Sequence, residues 1–357
     1  MFAIYMPEDF PLEDYGVLAD FLTSRQVLVP AFIPPEVGLL SLEAVIYASR
    51  MHGLETILIP DRNIVSRLVK VARDGAVGKR DLPTQVALAT MAVAQTVNFG
   101  IEPSIAFHEY AHKQGNVAAN EELSLFRVAD HANAAQWIDL ALGRRDSFVP
   151  PIAPPIADPV DLAFPLHRWR RNYVAMLKVG ELLQRDDLRP LERMAALLDW
   201  MERDFLIASP AAVLAAYLFA PVPKFGRAMK GLKAVNRERA IDGIKNAAWD
   251  VTHISEMVRQ ASEHEKDGKR YVFVTADRVL HLVADMVIRL SVTMSANDRL
   301  EGPLMAWWPR KQAKVIGDLL AEKVALVARI RPEFRVSFSV DQLDGMTVAG
   351  EALIRDA

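Results

Sequence analysis

Two short apolar runs, Thr56–Ile59 and Tyr271–Thr275, constrain this chain more than any other feature, because each leads to an aspartate at the start of a helix. The first reads "TILIPDRN" and reaches Asp61; the second reads "YVFVTAD" and reaches Asp277. Continuous β-branched and aromatic runs without polar alternation are the pattern of strands buried on both faces, as in parallel sheets. In open α/β sheets, side chains at the carboxyl ends of such strands converge on a shared crevice. Two aspartates there repel each other unless a proton or a cation intervenes. Read singly, each also fits a helix N-cap, a common role for aspartate. Read together, they set a metal site against that plainer interpretation.

The rest of the chain is mostly helical. Helical spacing covers Leu39–His52 up to Gly53, Ile64–Arg73 closed by Gly75, Leu82–Asn98, and a long stretch Ala118–Leu142 ending at Gly143. Pro103–Tyr110 reads either as a strand running into a helix or as a helix alone. Residues 146–165 then carry Pro150, Pro151, Pro154, Pro155, Pro159 and Pro165, which excludes regular helix and central strand. That segment is expected to be a linker or an extended strap over the surface. Helix is expected over His167–Phe219, Ala240–Gln260, from Arg278 onward, and near Arg310–Ile330. A strand at Arg335–Val340 and a short tail helix complete the expectation. The domain scheme is a discontinuous core of 1–145 and 238–300, a strap and helical insertion at 146–237, and an extension at 301–357. The class is helix-rich α/β.

Composition removes several functions. The 357 residues include no cysteine, so thiol catalysis, disulfides and thiolate metal sites are excluded. Lys plus Arg is 42 against 45 Asp plus Glu, a net charge of -3, so contact with nucleic acid has to use a local basic patch. Neither a Walker A sequence nor a dinucleotide-binding glycine fingerprint occurs, nor a G-x-S-x-G elbow. Acidic Glu8, Asp9, Glu13 and Asp14 argue against a signal peptide. The most apolar stretch, Leu206–Val222, is interrupted by Pro210 and Pro221 and reads as a buried helix rather than a membrane span. A soluble, cytoplasmic protein is expected, and a homo-oligomer is compatible with the sequence.

A third acid, Asp250 in "NAAWDVTHISEM", sits inside a helix between the expected core contacts Trp249 and Ile254. Asp61 in D-x-N after a strand, a glutamate in a helix, Asp250 in a later helix and Asp277 in T-x-D resemble, in that order, a PIN-like nuclease domain. The resemblance covers roughly residues 40–145 and 238–295, a little under half of the chain. It implies a three-layer fold with a short parallel sheet between helices, interrupted in this chain by a large helical insertion. It implies Asp61 as first metal ligand with Asn63 as its polar neighbour, Asp250 as third acid and Asp277 as fourth, with Thr275 orienting that loop. Glu109 in "PSIAFHEYA" is the first choice for the second acid, with Glu121 and Glu122 as alternatives. The activity implied is metal-dependent endoribonuclease cleavage of single-stranded or structured RNA, leaving 5′-phosphate and 3′-hydroxyl ends. Hard carboxylate oxygens select Mg²⁺ or Mn²⁺ over zinc. One or two such ions would orient water for attack on phosphorus.

Residues 108–112 also spell His-Glu-Tyr-Ala-His, a complete H-E-x-x-H. On a helix this puts His108 and His112 on one face, able to bind Zn²⁺, with Glu109 as general base. Glu121, Glu122 or His131 would supply a third ligand. Gly115 ends that helix almost at once, and the zinc hydrolase leaves Asp61, Asp250 and Asp277 unexplained. A third class of function is a catalytically degenerate PIN-like fold used as an interaction module.

Phosphodiester substrates need cations nearby. "KFGRAMKGLKAVNRER" supplies Lys224, Arg227, Lys230, Lys233, Arg237 and Arg239, leading into the helix of Asp250. "HRWRRNY" adds Arg168, Arg170 and Arg171 around Trp169 and Tyr173, rings of the kind that stack on bases. Either run is also what a solvated helix face looks like.

Overall fold

The computed structural model describes residues 8–78, 80–153, 158–221, 229, 231–263, 267–292, 300–329 and 337–357. The chain divides into two compact units, each built from two stretches of sequence: Met1–Phe164 with Glu256–His281, and Pro165–Ser255 with Leu282–Ala357.

The first unit holds the sheet. Its elements run α1 (Leu12–Ser24), β1 (Leu28–Pro30), α2 (Leu42–Ile46, continuing as a π-helical turn over Tyr47–Met51), β2 (Glu55–Pro60), α3 (Arg62–Asp74) and α4 (Leu82–Val97). Then follow β3 (Gly100–Ile101), α5 (Ser104–Gln114), α6 (Asn116–Asp130) and α7 (Ala134–Ala141), with β4 (Lys269–Val274) arriving from far along the chain. The strands form one open mixed sheet in the order β1-β4-β2-β3. β2 runs parallel to β3 and to β4, with Pro60 opposite Val274, while β1 pairs antiparallel at the edge. This is a helix-rich α/β architecture around a small sheet. Pro60 is the last residue of β2.

Local chemistry sets most boundaries. α3 buries Ile64, Val65, Leu68, Val69, Val71 and Ala72, an apolar face at helical spacing, beneath an aspartate cap. Asp81 caps α4 through the Thr84 N–H at 3.0 Å, and Asn98 ends that helix in the left-handed region at φ 56°. α4 is buried on every side over Val86–Ala94 because it packs against α1, α3 and α7. The expected single helix over Ala118–Leu142 is two. The chain breaks after Asp130, and Asn133 restarts it by accepting the Ala135 N–H at 2.7 Å. Asparagine competes with the helical backbone in this way wherever its side chain reaches a nearby N–H.

Gly75 closes α3 at φ 77°, and a β-carbon there would lie 2.5 Å from the Asp146 carbonyl oxygen, where the Pro-rich segment begins. Left-handed geometry and the clash act together, so Gly75→Ala is expected to lose about 3 kcal/mol of stability in urea denaturation. A loss below about 0.5 kcal/mol would mean that the segment shifts freely away.

The second unit is helical: α8 (His167–Gln184), α9 (Pro190–Arg203), α10 (Ser209–Leu218), most of α11 (Arg237–Glu263), the latter part of α12 (Arg278–Val292), α13 (Glu301–Leu304), α14 (Arg310–Arg329) and α15 (Val340–Asp356). Within the apolar Leu206–Val222 stretch, α10 buries Ala211–Tyr217, and no described helix is long and apolar enough to cross a membrane. α15 packs closely on α8 at Gly350, where a β-carbon would meet Leu177 at 3.1 Å. Of the expected strand at Arg335–Val340, Arg335 and Val336 lie outside the described residues; residues 337–339 form no strand, and Val340 opens α15 behind a Ser339–Gln342 capping box, so the apolar alternation there is that of a helix entry.

Candidate functional site

Because β2 and β4 are parallel neighbours, their carboxyl ends finish side by side, and the Asp61 N–H donates to the Val274 carbonyl at 2.9 Å. Asp61 is buried, 2% exposed. Its Oδ1 caps α3 by accepting the Ile64 N–H at 2.8 Å, and its Oδ2 accepts the Thr275 hydroxyl at 2.5 Å. Thr275, 1% exposed, in turn accepts the Asp277 N–H at 3.0 Å. A continuous chain of hydrogen bonds therefore links the loop after β4 to the carboxylate after β2. Asp277 is exposed and caps α12, with Oδ1 accepting the N–H groups of Val279 at 2.8 Å and Leu280 at 3.0 Å. Both aspartates thus serve as helix caps as well as standing at strand ends. Asn63 is exposed in the first turn of α3.

Beside Asp61 sits an arrangement not anticipated from the sequence. Arg62 pairs with Glu122 at 2.7 Å, both side chains largely buried, and its guanidinium lies 4.0 Å over the Tyr110 ring. Burial, and then the neighbouring Glu122 carboxylate, push the Tyr110 hydroxyl above the ordinary tyrosine range, so it stays protonated and donates to Glu122. The signal in the sequence was the basic residue directly after Asp61; its partner sixty positions on is visible only in three dimensions. Removing Glu122 strands a largely buried guanidinium, so Glu122→Ala is expected to cost about 2–3 kcal/mol by urea denaturation. A cost under about 0.5 kcal/mol would mark the pair as solvated.

Glu109 is buried on α5 and takes Lys113 at 2.7 Å, whereas Glu121 is exposed. His108 Nδ1 donates to the Leu162 carbonyl at 2.8 Å, His112 on the same helix is exposed, and His131 Nδ1 meets the Arg127 carbonyl at 2.7 Å. Asp250 belongs to the second unit, half-buried on α11 next to Trp249. Among the described residues, no three His, Asp or Glu side chains are gathered to hold a metal ion.

Of the basic run, Lys224, Arg227 and Lys230 lie outside the described residues. Lys233 is exposed in a turn, and Arg237 opens α11 with its guanidinium 3.3 Å from the Leu232 carbonyl. The aromatic residues Trp169 and Tyr173 do not face solvent. They are 8% and 2% exposed, stack on one another at 5.0 Å, and Tyr173 donates to Glu351 at 2.6 Å. Their helical spacing served the core of the second unit, so they offer no platform for bases.

Compared with known proteins, the chain matches no protein-family model, no curated protein and no solved structure.

Proposed function

We propose that the chain is a PIN-like ribonuclease that hydrolyses RNA phosphodiester bonds at the carboxyl edge of β2 and β4, with Mg²⁺ or Mn²⁺ as cofactor. The observation that carries this reading is the hydrogen bond from Thr275 to Asp61, which joins the ends of two parallel neighbouring strands through a buried carboxylate. Ligands of open α/β sheets bind at that edge. Lys224, Arg227, Lys230, Lys233 and Arg237 are the cations proposed to meet the phosphate backbone.

The acids as arranged do not make a closed cation site. Asp61 uses both oxygens on Ile64 and Thr275, Glu109 is held by Lys113, and Glu122 by Arg62. The reading therefore requires a further oxygen donor, from RNA, to join Asp61 and Asp277 on binding. It predicts weak cation binding by the protein alone, strengthened by RNA. Electron paramagnetic resonance of Mn²⁺ added to metal-stripped protein checks this. Binding that tightens with RNA and falls in Asp61→Asn is expected; no aspartate-dependent binding in either condition overturns the metal.

The internal pairing of Glu109 and Glu122 favours a second reading, a catalytically degenerate module of the same fold, which would bind partners and no cation. The zinc hydrolase requires a third ligand beside His108 and His112, and Glu122, already paired with Arg62, is the buried candidate.

A further inference from the structure

Where β3 ends, the chain turns through Glu102 and Pro103 into α5, and a cleft of about 370 Å³ opens there. The Glu102 N–H donates to the Leu58 carbonyl at 2.8 Å, so the cleft begins beside β2, three residues short of Asp61, on the same carboxyl edge of the sheet. Its floor is apolar, formed by Leu123 with Phe107 and Phe126, whose rings meet edge-on at 5.7 Å. Its rim carries Glu102, Ser104, His108, Arg127 and Asp130.

The outer wall is the Pro-rich strap, through Val160 and Leu162. It is fastened by its backbone. Asn120 accepts the Val160 N–H and donates to the Val160 carbonyl, both at 2.8 Å. Asn116 accepts the N–H groups of Leu162 at 2.8 Å and Ala163 at 3.2 Å, and His108 donates to the Leu162 carbonyl. Side chains from α5 and α6 thus hold an extended segment at a set distance from an apolar floor.

We propose that this cleft is a nucleobase subsite, which receives one unpaired base between the α5–α6 floor and the strap. The choice of a base rests on the ribonuclease reading; the cleft and its wall stand independently of it. The volume lies near the lower end of small-molecule sites and suits one nucleoside, not a stretch of chain. An apolar wall with donors and acceptors at its rim is a setting in which proteins hold an unstacked base by its edge. Arg127 offers donors. His108, with Nδ1–H committed to the Leu162 carbonyl, keeps Nε2 as an acceptor in its neutral form. Burial raises the Asp130 carboxyl above the usual aspartate range, opposed by His131 and by Gln95, whose amide donates to Oδ1 at 2.9 Å. The Asp130 carboxyl oxygens place acceptors on the rim, of the kind that take the amino or imino hydrogens of a base.

Titration calorimetry of the full chain, free of metal, with each of the four ribonucleosides and with ribose 5-phosphate tests the assignment. One-to-one binding of at least one nucleoside is expected, with Kd between about 10 µM and 1 mM and no binding of ribose 5-phosphate. Val160→Trp, which fills the cleft from a half-exposed strap position, and Asp130→Ala should each weaken binding by about tenfold or more while the melting temperature shows the fold intact. Failure of all four nucleosides, equal binding by ribose 5-phosphate, or indifference to both substitutions overturns the subsite. Nucleoside binding without RNA cleavage keeps the subsite and sinks the nuclease; cleavage without nucleoside binding does the reverse.

Discussion

Asp61→Ala is expected to destabilise the protein by about 3 kcal/mol. The substitution removes the cap of α3, a loss of about 1 kcal/mol. It also leaves the buried Thr275 hydroxyl without its acceptor, a stranded group that costs about 1–3 kcal/mol. Asp61→Asn keeps the shape and the cap, because the amide oxygen can still accept from Ile64. Its NH₂ now faces Thr275, so only the hydroxyl proton needs a new partner, and the cost should be about 1 kcal/mol. Thr275→Val falls between them, since it strands Asp61 Oδ2 and the Asp277 N–H together. Urea denaturation of the three variants should return that order. If Asp61→Ala cost less than about 0.5 kcal/mol, the buried carboxylate would not be structuring this edge.

The largest functional effect is expected at Asp277. This residue is exposed, and asparagine caps helices about as well as aspartate. Asp277→Asn should therefore leave stability within about 0.5 kcal/mol while reducing RNA cleavage to background. Cap and proposed catalytic role separate cleanly at this position, because loss of activity could not then be assigned to loss of fold. At Asp61 the cap and the proposed role overlap, and its asparagine variant has to be compared at matched folded fraction. Retention of cutting by Asp277→Asn would leave that aspartate a helix cap and nothing more.

What was legible in the sequence is what local chemistry writes. β2 and α3, and β4 and α12, follow from apolar runs interrupted by an aspartate, with Gly75 and Asn98 marking stops through left-handed backbone. The three-residue β1 was not legible, because Leu28–Pro30 is too short for any period and gains its identity from pairing with β4. Nor was α1, whose acidic first turn had been weighed only against a signal peptide. The break between α6 and α7 turned on one asparagine side chain. At the site, Asp61 and Thr275 were readable because each sits one residue beyond a strand, and Asp277 because it follows three residues beyond β4. Which carboxylates are already paired was not, since Arg62 with Glu122 is a tertiary meeting of distant residues. Burial of Trp169 and Tyr173 was missed for a related reason: a basic helix face and an aromatic core face alternate within one short run.

The most direct test of the central claim is cleavage of labelled single-stranded RNA by metal-stripped protein, with Mg²⁺, Mn²⁺ and Zn²⁺ restored separately and wild type set beside Asp61→Asn, Asp277→Asn and His112→Ala. The carboxylate-edge account predicts cutting restored by Mg²⁺ or Mn²⁺, lost in either aspartate variant and retained in His112→Ala. Stoichiometric zinc binding lost in His112→Ala, with no RNA cut under any condition, would contradict it.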